Sequence, residues 1–213
     1  MGGRAAVFGS GELGFENIDF KQYRFLMACD GGANHFSRLG EAPHAIIGDF
    51  DSIYPNVVME MNVLGVARHE RPKEKDESDL KLGIDFVINA GYTDIDIYGA
   101  TGDRPDHSVS NMIMLFDLER RGINARILDG KSIIMAIAAD EEPAEVRFGE
   151  PLEGSVVSVL PYGPVEGLTI KGFKYETEGC GLGVSNCTLG VSNEGSGTIR
   201  IEKGLAWIII ARK

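Results

Sequence analysis

Ile46-Ile47-Gly48-Asp49-Phe50-Asp51-Ser52 runs an apolar stretch into two carboxylates. The apolar part predicts a strand buried in a parallel sheet, and the acids stand at its C-terminal end, where open α/β sheets bind their ligands. Residues two apart in an extended chain project to the same side, so Asp49 and Asp51 are expected to point together and hold one hard cation. The plainer alternative is a solvated loop after a strand.

Around this segment strands and helices alternate. Apolar runs at 4–8, 24–29, 44–47, 65–68, 94–98 and 125–128 are separated by predicted helices at 33–39, 77–90 and 107–121. Gly40, Gly91 and Gly122 follow those helices where a left-handed residue ends a helix. In 77–90 the residues Leu80, Ile84, Val87 and Ile88 fall on one face, with Asp76 as the expected N-cap. This rhythm predicts a parallel sheet flanked by helices. From Lys131 the texture changes to short runs at 133–138, 146–148, 156–160, 168–170, 198–201 and 207–210, broken by Gly, Pro and Asn. The expected fold class is α/β: an N-terminal parallel-sheet α/β domain over 1–130, followed by a smaller C-terminal antiparallel β-sandwich over 131–213. Gly183-Val184-Ser185-Asn186 recurs as Gly190-Val191-Ser192-Asn193, too short a duplication to define a repeat architecture.

A chain of 213 residues can bury two unequal cores without disulfide staples, and 43% apolar with 25% charged residues is an ordinary globular balance. The formal charge of −11 argues against nucleic acid and anionic membranes and for a small ligand. Cys29, Cys180 and Cys187 form no CxxC pair and no zinc spacing, which suits a reducing cytosol. The longest apolar stretches, near 133–139 and 205–211, fall short of the roughly 20 residues that span a bilayer. No hydrophobic leader precedes the first strand, so a soluble cytoplasmic protein is expected.

Two further acidic groups map to the same sheet edge. Asp30-Gly31-Gly32 follows the strand at 24–29, and Lys75-Asp76-Glu77-Ser78-Asp79 opens a helix. Acids at a helix start also serve as caps and dipole partners, a reading as good as catalysis for Asp76, whereas Asp79 is the stronger site candidate. Mutual repulsion of Asp30, Asp49, Asp51 and Asp79 calls for a divalent cation, and an all-oxygen donor set selects Mg²⁺ over zinc. The stretch from Tyr98 to His107 (YGATGDRPDH) is a strand running through a Gly-containing turn into a helix, which exposes backbone N–H groups to phosphate. Arg104 is suited to bidentate phosphate contact, Asp106 to orienting it or capping the helix, and His107 to a structural role. Gly9-Ser10-Gly11-Glu12-Leu13-Gly14 also matches the GxGxxG of dinucleotide folds, with Asp30 ending the next strand. Against that reading, Phe15, Ile18, Phe20 and Tyr23 form no helical stripe, and the later carboxylates go unexplained.

Taken in order, Asp30-Gly31-Gly32-Ala33-Asn34, Gly48-Asp49-Phe50-Asp51-Ser52, Lys75-Asp76 with Ser78-Asp79-Leu80, and 99–107 with Asn111 resemble the successive signatures of the thiamine pyrophosphokinase family. Gly172-Phe173-Lys174-Tyr175 and Gly190-Val191-Ser192-Asn193-Glu194 are similar to that family's thiamine-binding β domain, so the resemblance covers nearly the whole chain. It implies direct transfer of diphosphate from ATP to the thiamine hydroxyl, with AMP as product, in a homodimer whose thiamine sites lie between subunits. It implies Asp49, Asp51 and Asp79 as Mg²⁺ ligands, Asp30 contributing directly or through water, and Arg104 completing the catalytic set. Gly31, Gly32, Lys75, Asp76, Thr101, Asp106 and Asn111 are then expected at the nucleotide, and Ser192 with Asn193 at thiamine. Asp103 stands where many members have glycine, and the copy at Ser185-Asn186 leaves the thiamine contact ambiguous. The rival readings are a pyrophosphokinase acting on a pterin alcohol, an aspartyl-phosphate phosphatase built on Asp49-Phe50-Asp51-Ser52, an NAD(P)-binding oxidoreductase, and a non-catalytic thiamine or nucleotide module.

Overall fold

Short segments that are apolar on both faces are the mark of strands buried in a parallel sheet. The computed structural model, which describes residues 2–14, 18–74, 76–149, 155–183, 189–192 and 197–212, contains six strands in its first part, the inner ones buried and the edge strand at 67–70 largely exposed. They are β1 (Arg4–Phe8), β2 (Tyr23–Cys29), β3 (Ala45–Gly48), β4 (Ala67–Glu70), β5 (Asp94–Tyr98) and β6 (Asn124–Asp129). All pair in parallel in the order β6-β5-β1-β2-β3-β4. The chain runs outward from β1 to β4, returns beside β1 as β5, and then continues the other way. The strand order therefore reverses between β1 and β5, and in such sheets the crevice at that point takes the ligand.

The chain divides into two compact units, residues 1–111 with 123–130, and residues 112–122 with 131–213. In the first unit α1 (Ala33–Leu39) and α2 (Pro55–Val63) cover one sheet face, where Phe36, Val57 and Met61 pack with Ala6, Phe8, Leu26, Ala28 and Ile46. The opposite face receives α3 (Asp79–Asn89) through Leu80, Gly83, Ile84 and Val87. Full burial of a side chain such as Ile84 stabilises by about 1.5–3 kcal/mol. Gly83 sets how closely the helix approaches: a Cβ there would stand 2.2 Å from Cys29 Sγ and 3.4 Å from Ile47 Cγ2 and Met27 Cγ. The helix begins at Ser78, whose Oγ accepts the Lys81 N–H at 3.3 Å, so Ser78 rather than Asp76 is the cap. The fourth helix, α4 (Pro105–Arg120), follows β5. Gly40, Gly91 and Gly122 have positive φ at the ends of α1, α3 and α4, as expected from the sequence. Asp96, 1% exposed in the middle of β5, accepts from Tyr23 Oη at 2.7 Å and from Arg126 Nε at 2.7 Å. Its charge is thus paired where it is removed from water, and it ties β2 and β6 to β5.

The second unit holds β7 (Ser132–Ala139), β8 (Ala144–Arg147), β9 (Ser155–Pro161), β10 (Val165–Lys171), β11 (Thr177–Leu182), β12 (Leu189–Ser192), β13 (Thr198–Ile201) and β14 (Gly204–Arg212). They form two antiparallel sheets, ordered β12-β9-β14-β7 and β11-β10-β13-β8. Val157, Val159, Ile208 and Ile210 of one sheet share a core with Leu168, Ile170, Ile199 and Ile201 of the other. Inward residues at every second position make this the expected β-sandwich. Phe116 of α4 packs on Trp207, whose indole N–H donates to the Met112 carbonyl at 2.9 Å. No helix among the described residues is long and apolar enough to cross a membrane.

Candidate functional site

At the switch point the segments leaving β1 and β5 meet. Gly9 N donates to Tyr98 O, Gly11 N to Gly99 O and Glu12 N to Thr101 O, each at 2.8 Å. These bonds lay the strap 9–12 along the turn 99–102. Contact is so close that a Cβ on Gly11 would fall 2.1 Å from the Thr101 carbonyl oxygen. The GxGxxG segment is therefore no dinucleotide loop. Three of its N–H groups are committed to carbonyls, and among the described residues the element after it is a short 3-10 turn, Phe20–Gln22, rather than a helix.

Beside the strap lie the carboxylates. Asp30 directly follows β2 in the left-handed region, with φ 47°, and is 7% exposed. Asp49 follows β3, and Asp79 is the first residue of α3. One carboxylate oxygen from each of these three residues lies within 4.8 Å of the others. Burial, with the Asp79 charge adding to it, pushes the Asp30 carboxyl above its ordinary range, while hydrogen bonds from Ser52 and Gly31 oppose the rise. Three acids so close, one of them desolvated, are relieved by a cation, and three hard oxygen donors fit Mg²⁺.

Asp51 is not in that group. Phe50 between the two has φ 65°, so the chain turns rather than extends there, yet the Asp51 N–H donates to Asp49 Oδ1 at 3.2 Å and the two carboxyls are close enough to interact. Asp51 takes Lys73 Nζ at 2.5 Å and the Ser52 hydroxyl at 3.0 Å, and the Lys73 hydrogen bond holds its carboxyl below the usual range.

The turn after β5 forms the far wall. Asn111 Nδ2 donates to Ala100 O at 2.7 Å, and Ser108 Oγ receives the Gly102 N–H at 3.2 Å, so α4 holds the turn by its first coils. Asn111 thus shapes this wall through the backbone. Arg104 makes a two-point fork to Asp106, Nε to Oδ1 at 2.9 Å and Nη2 to Oδ2 at 2.6 Å. Asp106 is the second residue of α4, so it orients Arg104 rather than capping the helix. The guanidinium lowers the Asp106 carboxyl to about 2.

An open cleft of about 870 Å³ joins these walls, lined among others by Ser10, Asp30, His35, Asp79, Thr101 and Arg104. Gly31 and Gly32 are buried in the 3-10 turn Asp30–Gly32 beneath it, and Asp76 is exposed ahead of α3. Lys75, Ser185, Asn186, Asn193 and Glu194 lie outside the described residues, and Ser192 is described by its backbone alone, paired with Val156. The sequence reading missed the strap, Ser10, His35 and Lys73. The glycines of the strap, placed directly after an apolar strand, were the signal that could have found it.

Two family models match the chain: "Thiamin pyrophosphokinase, catalytic domain" over residues 19–127, and "Thiamin pyrophosphokinase, vitamin B1 binding domain" over residues 139–205. The chain is 28% identical over 192 residues to the thiamine pyrophosphokinase of Bacillus subtilis strain 168, covering 88% of this chain and 87% of that protein. It is 25% identical over 225 residues to thiamine pyrophosphokinase 1 of Oryza sativa subsp. japonica, covering 93% and 83%. A crystal structure of thiamine pyrophosphokinase from Bacillus subtilis superposes with a TM-score of 0.85 at 22% identity, covering 99% of each chain, which shows the same fold.

Proposed function

The chain belongs to the thiamin pyrophosphokinase family, and on that premise we propose how its own residues carry diphosphate from ATP to the thiamine hydroxyl, with thiamine diphosphate and AMP as products. The observation that carries the reading is the grouping of Asp30, Asp49 and Asp79 at the same switch-point cleft as the turn 99–104.

Asp30, Asp49 and Asp79 would hold Mg²⁺, with Asp51 beside them in its ion pair to Lys73. The ion would supply charge neutralisation on the ATP phosphates. Thr101 and the turn 99–102 line the place of the polyphosphate. Arg104 stands at its edge with Nη1 left uncommitted by Asp106, so the fork steadies the guanidinium without consuming it. The thiamine oxygen attacks the β-phosphorus, the bond from that phosphorus to the AMP oxygen breaks, and the hydroxyl proton is lost. Little covalent work falls to the protein, which holds the reactants in line in a site of matched charge. Ser192 and Asn193 are the proposed thiamine contacts, in a homodimer acting in the cytoplasm with thiamine sites between subunits. The two-copy arrangement is supported by the family resemblance, and the compartment by the free thiols of Cys29 and Cys180.

The test is incubation with Mg-ATP and either thiamine or a pterin alcohol, with and without a chelator, reading AMP and product mass. AMP and thiamine diphosphate formed only with the metal support the proposal. Turnover of the pterin alcohol alone, or turnover indifferent to the chelator, refutes it.

A further inference from the structure

We propose that His35 is a positioning residue for ATP: it pins the strap 9–12, and the strap fixes the phosphate turn 99–102 relative to Asp30, Asp49 and Asp79. The inference rests on the ATP-using reading of the cleft, but it concerns a side chain that this chemistry does not employ.

The strap has two sides. Toward the turn it is held by the three backbone bonds from Gly9, Gly11 and Glu12. Toward β2 and α1 it is held by Ser10 Oγ, which reaches Cys29 O at 3.4 Å, and by His35 Nε2, which lies 2.8 Å from Gly11 O. The imidazole makes the shorter of these two contacts. A carbonyl oxygen only accepts, so Nε2 carries the proton. Burial lowers the pKa of the ring and Arg38 adds to the effect, which favours the neutral imidazole, while the Gly11 and Gly9 carbonyls oppose. The donor is also fixed in place: next to His35, Phe36 is fully buried, with its ring 4.5 Å from that of Phe8 in β1. His35 lies five residues beyond Asp30, so the imidazole connects the segment bearing a carboxylate to the strap. Gly11 has no slack against Thr101. A shift of the strap is therefore a shift of the turn.

The experiment compares His35→Leu, which fills the space without a donor, with His35→Gln, whose amide N–H can reach the same carbonyl. Steady-state constants are measured for both substrates, and amide hydrogen exchange is followed at Gly11 and Glu12 without ligands. In His35→Leu the KM for ATP should rise about five- to tenfold, the worth of one hydrogen bond, with the KM for thiamine unchanged and faster exchange at both amides. His35→Gln should restore all three values. If His35→Leu does not fold, His35→Asn, whose amide falls one carbon short, should show the same ATP defect against His35→Gln. Unchanged exchange and ATP KM in the donor-less variant, an equal rise in both KM values, or a His35→Gln as impaired as His35→Leu would each overturn the inference. A wild-type protein that makes no AMP from ATP and thiamine would instead refute the function, while the exchange measurement would still decide the role of His35.

Discussion

Gly83→Ala places a methyl group where α3 presses on β2, and its effect can be worked from the contact. The new Cβ would stand 2.2 Å from Cys29 Sγ, roughly 1.3–1.8 Å inside the ~3.5–4.0 Å at which non-bonded heavy atoms rest. Cys29 is 1% exposed, and Met27 and Ile47 already touch the same point, so the sulfur has little room to move aside. Overpacking of this kind costs about 1–3 kcal/mol. Exchanging glycine for alanine inside a helix returns about 1 kcal/mol. The single variant is therefore expected to be destabilised by up to about 2 kcal/mol, the difference of those two effects.

Cys29→Ala alone empties a buried site and costs about 1–2 kcal/mol. In the double variant the methyl occupies space the sulfur has left, so the clash is gone and the helix gain remains. Urea unfolding of the four proteins should show a favourable coupling of about 1–3 kcal/mol. Because Asp79 leads α3, divalent-cation affinity should fall in Gly83→Ala and recover in the double variant. Additivity within about 0.5 kcal/mol, or a Gly83→Ala protein more stable than wild type, would refute the close seating of α3 that brings Asp79 to Asp30.

Asp49→Asn and Asp79→Asn should each nearly abolish turnover and weaken Mn²⁺ binding, read by electron paramagnetic resonance, without lowering the unfolding midpoint; normal metal-dependent turnover in both would dismiss the trio. The Asp106 carboxyl, depressed by Arg104 from 3.8 to about 2, should stay ionised well below the ordinary range in a side-chain NMR titration. The sign follows from the depressed value: the contribution of the pair is present above the unfolded value of 3.8 and is lost as pH falls toward 2. Arg104→Gln should return the midpoint toward 3.8, and an unmoved titration would deny the fork. Ser192→Ala should raise the KM for thiamine by the worth of a hydrogen bond, about 0.5–1.5 kcal/mol, with ATP use intact; a larger thiamine defect in Ser185→Ala would transfer the contact to the other Gly-Val-Ser-Asn copy.

The strands β1 and β2 could be read from sequence because their runs are largely apolar on both faces, β5 because Ile95 and Ile97 alternate with acids, and α3 because Leu80, Ile84 and Val87 repeat at helical spacing. Asp30, Asp49 and Asp79 could be read as a group because each follows a strand or opens a helix at one edge of a parallel sheet. Other elements were hidden for physical reasons. α2 buries only Val57 and Met61, leaving Met59 and Val63 exposed, so its stripe is faint. Because Gly65, at φ 70°, belongs to the turn after that helix, β4 starts at Ala67 rather than at 65. β11, Thr-Glu-Gly-Cys-Gly-Leu, is mostly exposed and carries two glycines, which erases the alternation that marks a strand. The turn between Asp49 and Asp51 hangs on the left-handed conformation of Phe50, which no pattern of residue types announces. The strap matches the dinucleotide pattern because its glycines serve backbone-to-backbone approach, a need that yields the same spacing as a dinucleotide loop.

The most direct measurement follows the β-phosphorus. Wild-type protein is given Mg²⁺, thiamine and ATP labelled either at the β- or at the γ-phosphorus, and label is read in the separated products. The account predicts that both labels enter thiamine diphosphate and that unlabelled AMP accumulates in equal amount. Label from the γ-position alone, with ADP and thiamine monophosphate as products, would contradict it.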